Sequence, residues 1–228
     1  MTPRTFVVGD IHGCSTALEA VLCASGFAGN DILITLGDMI DRGPNTRGVL
    51  DFLMRLLGER RLIPIRGNHE VMMQHALDSG RDSQWFASGG LQTLESFGLA
   101  SNKAWRSCLP KDYRSFIVHD CVDYWEDERF IFTHAGLEAG LGLADQPHST
   151  LFWSEYNLAP APHFSGKTSI HGHTVVSGYQ PMAWPHAWFL DTGAYLPDGW
   201  LSCVDIDTGK IWQANQQGKI RQAQWAFE

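Results

Sequence analysis

The feature that most constrains this chain is a unit that occurs three times in its first part: a short apolar run, a cluster of polar residues and a helical pattern. The apolar runs are TFVV, DILIT and LIPI, and the polar clusters are GDIHG, GDMIDRG and RGNHE. The first two helical segments, STALEAVLCASG and NTRGVLDFLMRLLGE, have apolar residues at helical spacing. Ser15 is the predicted N-cap of the first helix, and the third helix is predicted to follow from Val71. Strands that alternate with helices pair in parallel, so the sequence predicts an α/β fold.

The length of the chain predicts one domain over residues 1–228, since 228 residues suit a single hydrophobic core. A less regular stretch at about 78–115 is predicted to be a mostly helical insertion or cap. From Cys121 the pattern shifts to strands, with RFIFTHAG, TSIHGHT, AWFLDTGA and LSCVDIDTGKIWQA. The last two segments are predicted to form an antiparallel hairpin that turns at Pro197-Asp198-Gly199.

Charge and composition exclude several classes of function. The formal net charge is -8 and the isoelectric point is near 5.6, which argues against a nucleic-acid or anionic-membrane surface. No apolar run reaches the roughly 18 residues of a membrane span, and no signal-peptide pattern begins the chain. The five cysteines are scattered and form no C-x-x-C pair, so we expect reduced thiols in a cytoplasmic protein.

Five polar clusters are expected to meet at one edge of the fold. FTHAG and IHGHT follow later apolar runs, as the first three clusters do, and the carboxyl ends of parallel strands share an edge. The clusters contain carboxylates, an amide and imidazoles: Asp10, Asp38, Asp41, Asn68, His12, His69, His134, His171 and His173. A Gly-Asp pair alone is ordinarily a turn, but neighbouring carboxylates repel unless a cation lies between them. Mixed oxygen and nitrogen ligands without thiolate favour manganese, iron or zinc.

The order of these motifs carries a family resemblance. GD-x-HG, GD-x-x-DRG, GNHE, HAG and GHT, between Gly9 and Thr174, resemble the phosphoprotein phosphatase branch of the calcineurin-like metallophosphoesterases. The chain is most similar in style to small bacterial and phage-lambda-type serine/threonine protein phosphatases. The resemblance implies a four-layer α/β/β/α sandwich of two mixed β-sheets. It also implies a centre of two divalent metal ions, for which we expect manganese, with iron or zinc as alternatives.

The resemblance assigns metal ligands by motif position. Asp10 and His12 would bind one ion, Asp38 would bridge, and the other ion would be bound by Asn68, His134 and His173. His173 is chosen over His171 because the family's ligand is the histidine of GHT.

The resemblance also implies a reaction: direct attack of a metal-bound hydroxide on phosphoserine or phosphothreonine in proteins, without a phosphoenzyme. His69 would be the general acid, and Asp41 would orient it and keep it protonated. Arg42 and Asn68 would bind the phosphate, and Arg66 is a further candidate for that role.

One departure from the family concerns phosphate binding. Larger members have a second phosphate-binding arginine downstream of a Trp-Ser segment, and LFWSEYNLAPAPHFSGKTSI contains none. Lys167 or a residue of the tryptophan-rich region is a candidate substitute, and looser binding of the substrate is the alternative.

Other functions remain open at this point. A symmetrical dinucleoside tetraphosphate hydrolase has similar motifs but typically reads GD-x-V-A-RG, and Asp41 differs from that pattern. A non-enzymatic metal- or phosphate-binding module is the lesser alternative, and activity on phosphotyrosine stays open. The expected partners are phosphoprotein or phosphopeptide substrates, without an obligate regulatory subunit.

Overall fold

The computed structural model describes residues 3–156 and 158–225 of the chain. Its strands, in chain order, are β1 Thr5–Val8, β2 Ile32–Thr35, β3 Leu62–Pro64, β4 Tyr124–Glu126, β5 Phe130–Thr133, β6 Thr168–His171, β7 Met182–Trp184, β8 Ala187–Phe189, β9 Leu201–Asp205, β10 Lys210–Ala214 and β11 Ile220–Gln224. Its α-helices are α1 Ser15–Ser25, α2 Thr46–Gly58, α3 Asn68–Ser79, α4 Ser83–Trp85, α5 Leu91–Ser96, α6 Trp105–Cys108, α7 Lys111–Ser115 and α8 His148–Trp153.

The strands form two mixed sheets, as the family resemblance implies. The first sheet has the order β11-β10-β9-β1-β2-β3, and β1, β2 and β3 pair in parallel. The second sheet has the order β4-β5-β6-β8-β7, and β5, β6 and β8 pair in parallel. The outer strands of both sheets add antiparallel pairs.

Alternation along β1 explains how the layers pack. Phe6 and Val8 belong to a core cluster shared with residues of α1 and α2, whereas Val7 belongs to a second cluster with residues of both sheets. Because successive side chains of a strand point to opposite faces, β1 contacts the helices on one face and the second sheet on the other. Phe132 of β5 and Ile170 of β6 meet Val7 in that second cluster. The two sheets are therefore fixed against each other close to the ends of these strands.

The helical prediction for 78–115 agrees with four short helices, α4 to α7, which all lie within this range. Two predicted helix starts are wrong by a few residues. Ser15 is the first residue of α1 instead of its N-cap, and its hydroxyl accepts a hydrogen bond from Asn45 at 2.9 Å. The third helix begins at Asn68, three residues before the predicted Val71, so Asn68, His69 and Glu70 of the polar cluster lie in its first turn.

The predicted hairpin between AWFLDTGA and LSCVDIDTGKIWQA is wrong. β8 pairs with β6 and β7 in the second sheet, and β9 pairs with β1 and β10 in the first. The segment between β8 and β9 therefore crosses from one sheet to the other. LSCVDIDTGKIWQA itself forms two antiparallel strands, and a turn at its DTG segment joins β9 to β10.

Two further findings concern the cysteines and the character of the helices. Cys14, Cys121 and Cys203 are buried and Cys23 and Cys108 are exposed, and all five thiols are free. Within the described residues no helix has both the length and the apolar character needed to cross a bilayer.

Candidate metal centre

The predicted ligands follow the carboxyl ends of strands in both sheets. Asp10 follows β1, Asp38 follows β2 and Asn68 follows β3, while His134 directly follows β5 and His173 follows β6. The packing of the two sheets brings these ends to one edge of the sandwich. Positive φ angles occur at several of the residues there: His12, Asp38, Asp41, Arg42 and His173. Left-handed backbone at non-glycine residues is uncommon and concentrates at functional sites, so this edge is the candidate site.

Asp38 is the centre of the arrangement. Its Oδ2 lies 3.5 Å from His12 Nε2, and its Oδ1 lies 3.5 Å from His134 Nε2. Two groups of possible ligands, each with its atoms within 4.8 Å of one another, share it: His12, Asp38 and His69 in one, and Asp38, His134 and His173 in the other. A carboxylate with two oxygens suits the bridging position between two cations.

Asp10 belongs to neither of these two groups, but it contacts His173, a member of the second. Both of its carboxylate oxygens accept the backbone N–H of His173 at 3.1 Å. Burial raises its pKa well above the usual value, and the nearby charges of Asp191 and Asp38 raise it further. Burial likewise raises the pKa of Asp191 to about 7. Carboxyl groups this close and this buried gain most from a cation beside them.

The imidazoles present their Nε2 atoms to the centre. His12 Nδ1 donates to the carbonyl of Ile40 at 2.9 Å, and His134 Nδ1 donates to the carbonyl of Leu36 at 2.7 Å. Because a carbonyl only accepts, each ring carries its proton on Nδ1 and turns the Nε2 lone pair inward. Burial lowers the pKa of both rings, which keeps them neutral, and it lowers that of His173 to about 4. Neutral rings fixed through the second nitrogen are the usual state of metal-binding histidines.

The Asn68 side chain faces two of the other candidate ligands. In the orientation that satisfies these neighbours, its amide nitrogen donates to His134 Nε2 at 2.9 Å and to both Asp38 oxygens at 3.1 Å. The amide can present its oxygen to a cation instead by turning through 180°. Carboxylates, neutral imidazoles and an amide form a donor set that fits a divalent cation.

The side chains of His69 and Asp41 form a pair that is suited to proton transfer. His69 Nδ1 lies 2.7 Å from Asp41 Oδ2, and both side chains are fully buried. Although burial alone would lower the pKa of His69, the charge of Asp38 and the hydrogen bond with Asp41 raise it. His69 Nε2 has no hydrogen-bond partner among the residues that the structure describes. It lies 3.9 Å from Asp38 Oδ2, on the side of the candidate metal ligands.

Asp41 is held by two residues that sequence reasoning missed. Trp85 donates its indole N–H to Asp41 at 2.8 Å, and Thr93 donates its hydroxyl to Asp41 Oδ1 at 2.7 Å. Both belong to the helical region after α3, 44 and 52 residues along the chain from Asp41. Burial raises the pKa of Asp41, and the bonds from His69, Thr93 and Trp85 oppose that rise. The helical region thus fixes Asp41, the partner of His69.

Arg42 reaches the centre from the same loop as Asp38. Its Nη1 lies 3.1 Å from His12 Nε2, and its guanidinium lies over the ring of Tyr195, 4.6 Å from the centroid. The Arg42 backbone N–H donates to the carbonyl of Gly89, which has a φ of 110°. A Cβ on Gly89 would lie 2.8 Å from Arg42 Cγ, so a larger residue there would displace the arginine.

Glu70 is a further residue that the motif contains but that sequence reasoning did not assign. Its buried carboxylate accepts the backbone N–H groups of Asp38, Met39 and Gly67 at 2.8 to 2.9 Å. Burial raises its pKa to about 7. Glu70 therefore fixes the loop that presents Asp38, which is the position of an outer partner of a metal ligand.

Three other predicted or candidate residues face elsewhere. The Arg66 guanidinium pairs with Asp123 at 3.2 Å and donates to the Cys121 carbonyl at 2.7 Å, so the geometry does not support phosphate binding. Lys167 pairs with Glu126 at 2.6 Å next to the start of β6, the opposite end from the site, so it does not replace the second arginine. His171 is buried between the hydroxyls of Thr133 and Ser169, which gives it a structural role.

Comparison with known proteins identifies the family. The model of the calcineurin-like phosphoesterases matches residues 3–192. The chain belongs to this family. Metallophosphoesterases of the family use a dinuclear metal centre, and the Asp38 groups supply side chains for one.

Individual relatives differ in their named substrates. Serine/threonine-protein phosphatase 2 of Escherichia coli is 44% identical over 86 residues, which are 37% of this chain and 38% of that protein. The asymmetrical bis(5′-nucleosyl)-tetraphosphatase of Oceanobacillus iheyensis is 26% identical over 219 residues, covering 82% of each chain. The crystal structure of a cold-active protein-tyrosine phosphatase from a Shewanella species has a TM-score of 0.69 and 15% identity, covering 98% of this chain and 81% of that one. This last likeness shows the shared fold.

Proposed function

We propose that the protein is a metal-dependent phosphomonoesterase that hydrolyses phosphoserine and phosphothreonine in proteins. The observation that carries the proposal is the buried His69–Asp41 pair, with the second ring nitrogen of His69 directed to the candidate metal ligands. An alkoxide leaves poorly unless it is protonated as the bond breaks, and an imidazolium at this position is a suitable donor.

The side chains divide the work as follows. Asp10, His12, Asp38, Asn68, His134 and His173 would hold two divalent cations, for which manganese is our proposal. When bound, the cations activate water and neutralise charge on the phosphate. The Arg42 guanidinium, stacked on Tyr195, is placed to bind phosphate oxygens as a planar fork, and the Asn68 amide lies on the same side of the cavity. His69 Nε2 then donates its proton to the departing oxygen, while Asp41 holds the ring by Nδ1.

A dinucleoside tetraphosphatase is the second candidate, because the relative that covers 82% of this chain carries that name. A nucleotide phosphate leaves readily without protonation, so such an enzyme has less need of the His69–Asp41 pair. The presence of that pair, held by Trp85 and Thr93, favours the phosphomonoesterase.

The test is a comparison of kcat/KM on a phosphoserine peptide, a phosphotyrosine peptide and diadenosine tetraphosphate with the manganese-loaded protein. We expect the phosphoserine peptide to be turned over best, and a preference for the dinucleotide would establish the second candidate. Chelation and Asp38→Asn should both abolish turnover. Full activity in rigorously chelated protein would contradict the metal assignment, and no turnover of any substrate by metal-loaded protein would indicate a binding module.

A further inference from the structure

An acidic side chain lies in the wall of the cavity that opens over the candidate metal ligands. The cavity has a volume of about 330 Å³ and is lined by Asp38, Arg42, Asn68, Glu155, His173, Thr174, Val175 and Tyr195. Arg42 is the one lysine or arginine in this lining, and Glu155 is the acid that is neither buried nor among the proposed ligands. Its carboxylate has no hydrogen-bond or ion-pair partner within residues 3–156 and 158–225.

The backbone around Glu155 is fixed by its neighbours. Ser154 ends α8 in an extended conformation, with φ -68° and ψ 135°. The next residue, Tyr156, packs its ring against His171 and Phe189 at centroid distances of 5.7 and 5.5 Å. Its hydroxyl accepts the Leu137 N–H at 3.1 Å. Glu155 therefore belongs to an anchored segment, and it is an exposed residue of the cavity lining.

A carboxylate in this place opposes the binding of an anion. Arg42 and the cations would hold the phosphate that is hydrolysed. Any further negative charge on the substrate is repelled by the Glu155 carboxylate, and any positive charge is attracted to it. Residues next to a phosphoserine lie within about 3.8 Å per residue of its Cα, so the side chain of an adjacent arginine or lysine has the length to reach the rim. An exposed pair of charges changes binding by about two- to fivefold, and more than one such charge multiplies the effect.

We propose that Glu155 is a specificity-determining residue, which favours phosphopeptides with a basic residue beside the phosphorylated one and disfavours acidic flanks and polyphosphates. The inference rests on the proposed phosphomonoesterase function. It also adds a physical reason for discrimination between the two substrate classes of the relatives, since a dinucleoside tetraphosphate brings several additional negative charges into the cavity.

The test uses three phosphoserine peptides that differ only in their flanking residues, which are arginine, alanine or aspartate, together with diadenosine tetraphosphate. The proteins are the manganese-loaded wild type, Glu155→Gln, Glu155→Arg and the control Glu128→Arg. Glu128 is exposed in the turn before β5, the opposite end of that strand from the site, so its variant changes the net charge by the same amount away from the cavity.

For the wild type we expect kcat/KM to be about fivefold higher with arginine flanks than with aspartate flanks. Glu155→Gln should bring this ratio close to one, and Glu155→Arg should invert it and lower KM for the dinucleotide by about fivefold. Glu128→Arg should keep the wild-type ratio. At about 1 M salt, where the Debye length falls to about 3 Å, the wild-type ratio should shrink.

Several results would overturn the inference. These are a wild-type ratio near one, an equal shift in Glu128→Arg, or a loss of bound metal in Glu155→Gln, which would make Glu155 a metal ligand. If the protein hydrolyses only the dinucleotide, the proposed function fails, and the effect of Glu155→Arg on dinucleotide KM still decides the role of Glu155.

Discussion

Replacing Asp41 by asparagine should separate proton donation from metal binding. The Asp41 carboxylate accepts hydrogen bonds from His69 at 2.7 Å, from Trp85 at 2.8 Å and from Thr93 at 2.7 Å. Asparagine has almost the same shape, but its single oxygen serves fewer donors, and its NH₂ would face His69 Nδ1 if the oxygen stays with Trp85 and Thr93. The ring would then be held as a neutral imidazole, which is a far weaker acid than the imidazolium.

The size of the effect follows from the bond that is lost. A hydrogen bond to a charged group contributes about 1.5–3 kcal/mol, and about 1.4 kcal/mol corresponds to one pKa unit or a factor of ten in rate. We therefore expect the pKa of His69 to fall by about 1–2 units and kcat/KM on phosphoserine to fall about 10- to 100-fold near neutral pH. Because His69 acts in its protonated form, activity is lost as pH rises through its pKa. This limb should move to lower pH in the variant.

The assay compares kcat/KM on a phosphoserine peptide and on p-nitrophenyl phosphate, whose leaving group scarcely needs a proton, together with metal content. The variant should lose much less activity on p-nitrophenyl phosphate and retain its metal. Trp85→Phe, which removes one donor and leaves the carboxylate, should give a smaller loss with the same substrate dependence. Equal losses on both substrates, or loss of metal with Asp41→Asn, would refute the role of the pair in protonating the leaving group.

Two further predictions concern packing and charge away from the proton donor. Gly67→Ala should abolish metal binding and activity, because its Cβ would lie 2.2 Å from Asp38 Oδ1, whereas Gly58→Ala, where a Cβ meets open space, should leave both unchanged. Metal titration of both variants checks this, and normal binding by Gly67→Ala would contradict it. Asp31→Asn should cost about 1 kcal/mol of unfolding free energy at neutral pH by removing the ion pair with Arg4 at 2.6 Å. Although burial acts to raise the pKa of Asp31, hydrogen bonds from Arg4 lower it. The stabilisation is therefore complete above about pH 3.8 and lost as pH falls through the lowered pKa, so denaturant unfolding should show the difference between wild type and variant vanish in acid.

The resemblance of the motifs to those of the calcineurin-like metallophosphoesterases implied the family and the two-sheet fold, and both are confirmed. The convergence of the polar clusters was predictable from the residues themselves, because each cluster directly follows an apolar strand, as Asp10 follows β1 and Asp38 follows β2. The carboxyl ends of parallel strands must share an edge, so the order of the motifs was enough to predict that these residues meet. Their roles as ligands stay predictions that metal analysis has to test.

Other parts of the site depend on contacts that no local pattern encodes. Trp85 and Thr93 lie in a stretch without clear periodicity, and only the packing of the helical region brings their donors to Asp41. Glu70 stands within a recognised motif, but its task of holding three backbone N–H groups is visible only once the loop at Asp38 is in place. Arg66 shows the converse, since its position beside the motif suggested phosphate binding and its actual partners are Asp123, the Gln74 side chain and backbone carbonyls.

The sequence therefore determined which segments are strands and which residues follow them, and the tertiary structure decided how those segments join. The β8–β9 connection shows the physical reason. Alternating apolar residues on both sides of a Pro-Asp-Gly turn satisfy the local requirements of a hairpin equally well whether the strands pair with each other or with different sheets. The tertiary structure places each strand inside a different sheet: β8 lies between β6 and β7, and β9 lies between β1 and β10, so the backbone hydrogen-bonding groups on both edges of each strand find partners.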